Sequence, residues 1–352
     1  MDKETIKVGI VGGSANPKSW AINSHIPALQ KNKNFELIAV STSTKESAME
    51  AKKLFQTKYA YDSYHKLIRN TEIDLVVVSV KVEFHYEIIK KALLYKKHVY
   101  SEWPLTSSLE QSKELVELAK KQKVQNIIGL QARQSPALKN AKEIIDTKLG
   151  AVLNVREVVS TSGKGKIANN RTVYQYDSKA GATLLDINGG HSLDILNFLL
   201  GDFSQIKASP TKHFGMVLNE DTQKFFKQQS PDSWEIIGKI NHDISFNSSI
   251  HGGVRSYFEI VFEGENGNIR IYQKEPTGHP QFGNLVLEVF FNNSTSSVKQ
   301  KIIDESKMSR NYFEEVYEIL FQDLINKTQS LADFNLAYQL QKTLYKIKNS
   351  NI

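Results

Sequence analysis

From Ile6 to Leu130 short apolar runs alternate with amphipathic stretches. Ile6–Val11, Phe35–Ser41, Leu75–Val80, His98–Ser101 and Asn126–Leu130 read as strands. Ser19–Gln30, Lys45–Leu54, Phe84–Leu94 and Ser108–Lys121 read as helices, and Pro27 should kink or end the first of them. Leu75–Val80 is nearly all apolar, the pattern of a parallel strand covered on both faces. This alternation predicts βαβ units and a doubly wound parallel sheet.

The pattern then changes. Pro136–Thr147 and Gly190–Leu200 are helical, and Val152–Ser160 alternates as a strand. Beyond Gln205 strand patterns dominate: Glu235–Ile240, Ile244–Ile250, Tyr257–Glu263, Ile269–Tyr272 and Leu285–Phe291. Glu265-Asn266-Gly267-Asn268 predicts a hairpin turn, because Asn-Gly tolerates positive φ. Thr222–Ser230 and Asn292–Lys299 read as loops. Arg310–Lys327 and Phe334–Lys348 close the chain as helices, the last capped by Asp333. The expected fold class is α/β. A Rossmann domain spans 1–130, and an α+β domain with a large open, mostly antiparallel sheet spans 131–352. The final helix, about 334–348, is expected to pack back on the first domain. Apolar residues fall on both parities of Tyr257–Phe262, which predicts an interface on the open face and a homodimer.

The 352 residues suit two domains, and 40% hydrophobic with 24% charged residues is a globular composition. There is no cysteine, which removes disulfides, thiolate metal sites and cysteine nucleophiles. The charged N-terminus runs straight into a strand, and the apolar runs are too short to span a bilayer. The expectation is a cytoplasmic protein without a membrane partner. The net charge of +7 comes from scattered lysines without a nucleic-acid-binding motif, so no direct nucleic-acid contact is expected. No histidine–carboxylate group has metal-ligand spacing, and no metal is expected.

The first strand ends in Val11-Gly12-Gly13-Ser14-Ala15-Asn16-Pro17. Glycines there let a backbone approach a pyrophosphate. Ser14 stands where the second glycine of the G-x-G-x-x-G fingerprint belongs, and the loop is one or two residues long for it. The second strand ends in Ser41, Thr42 and Ser43, with Lys45 nearby and no acid for a ribose 2′-hydroxyl. That favours NADP within an NAD(P) expectation.

Val8–Ala15, Leu75–His85 and Val99-Tyr100-Ser101-Glu102-Trp103-Pro104-Leu105 together resemble the glucose–fructose oxidoreductase / inositol dehydrogenase (Gfo/Idh/MocA) family. Gln131-Ala132-Arg133-Gln134-Ser135-Pro136 resembles its R-x-x-P segment, and Gly181–Asp194 its second-domain motif. Ser19-Trp20-Ala21-Ile22, Glu102-Trp103 and Gly190-His191-Ser192-Leu193-Asp194 are similar to the family's galactose-repressor branch, whose type member binds NAD(P) and an activator protein. The resemblance implies cofactor contacts from Gly12, Gly13, Ser14, Ala15, Trp20, Ser41, Thr42, Ser43, Val80, Lys81, His85, Glu102, Trp103, Gln131 and Arg133. It implies that His191 works on a substrate hydroxyl, with Asp194 and Asp186 to orient it or hold a sugar. The step from Asp186 to His191 is one residue longer than in the family.

Trp103 replaces the family lysine of E-K-P, and an indole cannot titrate. Lys81 brings a charge to the same neighbourhood or is a surface lysine. His25, His85 and His98 also read as packing residues. Two functions follow: an NAD(P)-dependent oxidoreductase on a sugar, polyol or sugar derivative, or a catalytically silent NAD(P)-binding regulator with a protein partner.

Overall fold

The computed structural model describes residues 5–292, 297–308 and 311–350. They fall into two compact units, Met1–Gly129 with Phe313–Gln339, and Leu130–Tyr312 with Leu340–Ile352. The first unit is built on β1 (Ile6–Val11), β2 (Phe35–Ser41), β3 (Tyr59–Tyr61), β4 (Leu75–Val78), β5 (His98–Glu102) and β6 (Asn126–Gly129). All pair in parallel, in the order β3-β2-β1-β4-β5-β6. The order reverses between β1 and β4, so the carboxyl ends of these strands flank the crevice where such sheets take ligands. Val8, Ile10, Val40, Leu75 and Val77 are fully buried in the core, and Phe313, Tyr317 and Leu320 join the same cluster. That shared apolar face explains why Phe313–Gln339 packs with the first unit.

The stretch predicted as one helix over Ser19–Gln30 is two, Trp20–Asn23 and His25–Lys31. The break falls at Ser24, with φ −133° and ψ −83°, whose hydroxyl donates to the Trp20 carbonyl at 2.6 Å. Pro27 therefore sits in the first turn of the second helix, where its missing N–H has no intrahelical acceptor to lose.

The second unit contains β7 (Val152–Thr161), β8 (Ile167–Ala168), β9 (Phe203–Thr211), β10 (Met216–Asn219), β11 (Lys224–Lys227), β12 (Ser233–Ile240), β13 (Ile244–Gly252), β14 (Tyr257–Gly264), β15 (Gly267–Gln273), β16 (Leu285–Asn292) and β17 (Ser297–Asp304). Among the described residues, eight of them form a sheet in the order β17-β16-β15-β14-β7-β13-β12-β9, antiparallel throughout except for β7 against β13. The other three form a small sheet, β11-β10-β8.

Two predicted loops are thus partly strand. β11 lies inside Thr222–Ser230, where Phe226 meets Tyr176 edge-on at 5.4 Å. β17 takes up the end of Asn292–Lys299, while 293–296 lie outside the described residues. The hairpin turn is centred one residue early: Gly264 pairs with Gly267, so Glu265 and Asn266 make the turn. Gly267 is needed for another reason, since its φ is +152° and a Cβ there would lie 2.0 Å from the Phe290 carbonyl oxygen.

In β14, Phe258, Ile260 and Phe262 are fully buried. The other parity holds Tyr257, Glu259 and Val261, and Glu259 pairs with Arg270. Among the described residues no helix is long and apolar enough to cross a membrane.

Candidate functional site

In the first unit the loop after β1 lies at the point where strand order reverses. Gly12 has φ +93°, and a Cβ there would sit 2.1 Å from the Ser79 carbonyl oxygen, so only glycine fits between β1 and β4. Gly13 is less constrained: its Cβ would lie 3.1 Å from Val40 Cγ1. The Ser14 N–H donates to the Gly12 carbonyl at 2.9 Å, and the Ser14 hydroxyl accepts from the Asn16 N–H at 3.2 Å. The loop runs on to Ser19 before helix begins, and its serine and asparagine hydrogen bonds take up the extra residues. Ala15 and Trp20 are partly buried against the core, Trp20 edge-on to Phe313 at 5.8 Å.

At the end of β2, Ser41 is buried and its carbonyl accepts from the Gly12 N–H at 2.9 Å. Thr42 is half-buried, its hydroxyl donating to the Thr44 carbonyl at 3.0 Å, and Ser43 is exposed. The Gly12 and Ser41 backbones thus meet at the crevice where the strand order reverses. A glycine loop without an acidic residue, at that reversal of strand order, fits a dinucleotide.

The loop after β4 is tied to the loop after β5 through His85. Its fully buried ring has Nε2 3.0 Å from the Val80 carbonyl oxygen and Nδ1 2.9 Å from that of Pro104. Burial lowers its pKa, so the neutral ring donates to one carbonyl at a time. Lys81 is exposed. Trp103 is buried and its peptide bond to Pro104 is cis. Glu102 accepts from His25 Nε2 at 2.6 Å, and His25 Nδ1 lies 2.8 Å from the Tyr317 hydroxyl. His25 is therefore the link between Glu102 and the returning segment. His98 Nδ1 accepts from the Gln125 N–H at 3.0 Å.

The second unit holds a separate polar cluster. Leu185–Gly189 is a π-helix that runs into the α-helix Gly190–Leu200. A π turn closes on residue i+5, where an α turn closes on i+4. It absorbs the extra residue between Asp186 and His191 and returns them to neighbouring turns. Asp186 accepts from the Thr183 N–H at 3.1 Å, the Thr183 hydroxyl at 2.7 Å and Lys348 Nζ at 2.5 Å. His191 is 5% exposed and its Nδ1 has no partner. Burial, and then the neighbouring His279, push its pKa down to about 3.

Asp194 does not orient His191. The Arg133 guanidinium holds its carboxylate, with Nε at 2.9 and 3.0 Å from the two oxygens and Nη2 at 2.6 Å. Arg133 Nη2 also donates to Asn197 at 3.1 Å. The geometry thus turns an expected cofactor residue and an expected catalytic residue into one buried ion pair. Gln131 is buried in the same unit.

Sequence reasoning missed the rest of the cluster. His279, from the loop before β16, lies 3.4 Å from both Asn188 Nδ2 and Gln281 Nε2 through its Nδ1. Burial and the Lys164 charge lower its pKa to about 4. Lys164 donates to Gln175 Oε1, and burial brings its pKa down to about 7 against the opposing charge of Asp186. Asn188 Oδ1, Gln281 Oε1 and His191 Nδ1 are buried without partners. The one available signal was Gly163-Lys164-Gly165, a lysine boxed by residues that permit unusual backbone.

Under the helix Gly190–Leu200, Glu157 is fully buried, accepting from the Ser248 hydroxyl at 2.5 Å. Burial raises its pKa to about 7. The folded state therefore holds a proton that the unfolded chain releases near pH 4.5, so this carboxyl destabilises the fold increasingly from that pH to 7. Glu157→Gln is expected to stabilise the protein by up to about 3 kcal/mol more at pH 8 than at pH 5. Urea unfolding at the two pH values measures this, and an equal effect at both contradicts it.

Residues 6–130 match the family described as "Oxidoreductase family, NAD-binding Rossmann fold", and residues 136–273 match "Gal80p, C-terminal domain". The dehydrogenase aclE of Aspergillus oryzae is 30% identical over 280 residues, 76% of this chain and 76% of that protein. The galactose/lactose metabolism regulatory protein of Kluyveromyces lactis is 29% identical over 308 residues, covering 80% of this chain and 66% of its own length. The chain thus spans about two thirds of that regulator. The crystal structure of levoglucosan dehydrogenase with NADH and L-sorbose shares the fold, with TM-score 0.85 at 17% identity over 98% of this chain and 96% of that one. The chain belongs to the NAD-binding Gfo/Idh/MocA oxidoreductase family and carries its Gal80p-type C-terminal domain.

Proposed function

We propose that this protein is an NAD(P)-dependent oxidoreductase acting on a hydroxyl group of a sugar, polyol or sugar derivative. The observation that carries this reading is the polar cluster of the second unit. Asn188 Oδ1, Gln281 Oε1 and His191 Nδ1 are buried without partners around His279. Buried polar atoms are ordinarily paired, and a polyhydroxylated ligand supplies donors and acceptors for all three. Asp186, fixed by Thr183 and Lys348, adds a carboxylate to the set.

Gly12, Gly13 and Ser14 would cradle the pyrophosphate, with Ala15 and Trp20 closing the loop. Ser41, Thr42 and Ser43 would border the adenosine ribose, Val80, Lys81 and the His85-clamped loops would flank the nicotinamide end, and Trp103 would wall it. When bound, the oxidised dinucleotide supplies the hydride acceptor. His191, neutral at working pH, holds the substrate hydroxyl by a hydrogen bond. Its low pKa makes it a poor proton acceptor near neutrality, where the best catalytic pKa lies near the operating pH.

Residues 42–45, directly after β2, hold no carboxylate to repel a 2′-phosphate, which supports binding of NADPH at least as tight as that of NADH. Ser43→Asp is expected to reverse the order by placing an acid there, measured by side-by-side titration of the two reduced dinucleotides. An unchanged ratio contradicts the assignment. The oxidoreductase reading is tested by a redox screen of sugars and polyols with wild type and His191→Ala. We expect turnover in the wild type and a raised KM in the variant, with dinucleotide affinity unchanged.

A second reading is a silent NAD(P)-binding regulator with a protein partner. Trp103 in the lysine position favours it, as does the likeness to the Kluyveromyces lactis regulatory protein. A homodimer through the open face of the large sheet is supported by exposed Val158, Ile237 and Tyr257 among its paired charges. Sedimentation of a monomer at micromolar concentration contradicts that assembly.

A further inference from the structure

We infer that Lys164 is the amine that accepts the proton of the substrate hydroxyl. The inference rests on the oxidoreductase reading above. Its basis is how the lysine is built in. Lys164 is 9% exposed and has φ +64°, a left-handed backbone that few side chains adopt. The surrounding backbone holds it there: the Gly253 N–H donates to the Gly163 carbonyl at 2.7 Å, and a Cβ on Gly165 would lie 2.5 Å from Gly253 Cα. A Cβ on Gly252 would lie 2.8 Å from Lys164 Cβ.

Exposed Lys96, Lys123 and Lys327 share this left-handed backbone, so what sets Lys164 apart is the burial of its side chain. Close packing among Gly165, Gly252, Gly253 and the Lys164 Cβ seats this lysine beside the polar cluster of Gln175, Asp186 and His279. The charged or titratable neighbours are Asp186, which favours its protonation, and His279, whose own protonation it opposes. His191 interacts with His279, and Lys348 is paired with Asp186. Burial brings the amine to about 7, so near neutral pH it exists in part as a free base.

The step balances. The hydroxyl proton passes to the Nζ lone pair, the O–H bond breaks, and the carbinol carbon becomes a carbonyl. Its hydride leaves to the oxidised nicotinamide dinucleotide, which is reduced as the alcohol is oxidised. Lys164 then loses its proton to solvent.

Two measurements test this on the intact chain. Competitive acetylation of the wild type with acetic anhydride, read peptide by peptide, should give Lys164 a reactivity midpoint near pH 7, against about 10.4 for surface lysines. A midpoint near the surface value overturns the inference whether or not the protein turns over a sugar. Where the wild type reduces the dinucleotide with a sugar, Lys164→Met should lower kcat by about 10²–10⁴-fold and remove the acid limb of the pH profile. Lys164→Arg, which keeps charge and length, should be equally inactive while folding normally. Retained kcat and pH limb in both variants overturn the role of Lys164 and leave the oxidoreductase reading intact. A wild type silent on every sugar overturns that reading, and this role with it.

Discussion

Gly13→Asp is expected to weaken dinucleotide binding by about three orders of magnitude in a protein that still folds. The loop after β1 begins with two glycines and carries no anion, which suits a pyrophosphate. A carboxylate within contact distance of a phosphate costs about 4 kcal/mol at an effective dielectric of 20, which is about a thousandfold in Kd. Space is a separate matter. A Cβ at Gly13 would meet Val40 Cγ1 at 3.1 Å and Ile10 Cγ2 at 3.4 Å, which small shifts can relieve. Gly13→Ala therefore serves as the control and should keep most of the affinity. Calorimetry on both variants separates charge from bulk, and full affinity in Gly13→Asp removes the pyrophosphate from this loop. Gly12 would be the wrong probe, because any side chain there strikes the Ser79 carbonyl and unsettles β1 against β4.

Arg133→Ala is expected to cost about 3–5 kcal/mol of stability, because it strands a buried carboxylate. Asp194 is 1% exposed. Burial raises its pKa, and the Arg133 charge and hydrogen bonds oppose that. Adding Asp194→Asn removes the stranded charge and should recover part of the loss. Urea unfolding of the single and double variants is the measurement. A loss under about 1 kcal/mol for Arg133→Ala would mean that the pair is solvated and screened like an ordinary surface pair.

Much of the fold could be read from periodicity, since buried parallel strands such as Leu75–Val78 carry near-continuous apolar runs. Pro136–Thr147 and Gly190–Leu200 run as their patterns predict. Asp333 caps the last helix, accepting from the Leu336 N–H at 2.8 Å. What escaped was set by tertiary contact. β11 is four residues flanked by lysines and has no alternation to betray it. The π turn over Leu185–Gly189 has no residue signature, so Asp186 looked out of register with His191 when it is one π turn away.

The site divides in the same way. The glycine loop and His191 announce themselves by residue type. The engagement of Asp194 by Arg133 spans 61 positions, and no local pattern encodes it. Lys164 and His279 lie on loops whose convergence on Asp186 and His191 depends on how β7 and β15 are placed in the large sheet.

The central claim is that a hydride passes between a sugar or polyol carbon and a dinucleotide held by this protein. It is tested most directly by supplying oxidised NADP and NAD with a panel of sugars and polyols deuterated at their carbinol carbons. The mass of the nicotinamide product is then followed. The account predicts reduced dinucleotide carrying a single deuterium with at least one member of the panel. Tight dinucleotide binding with no reduced, deuterated product from any of them would contradict it and would establish the silent, regulatory reading in its place.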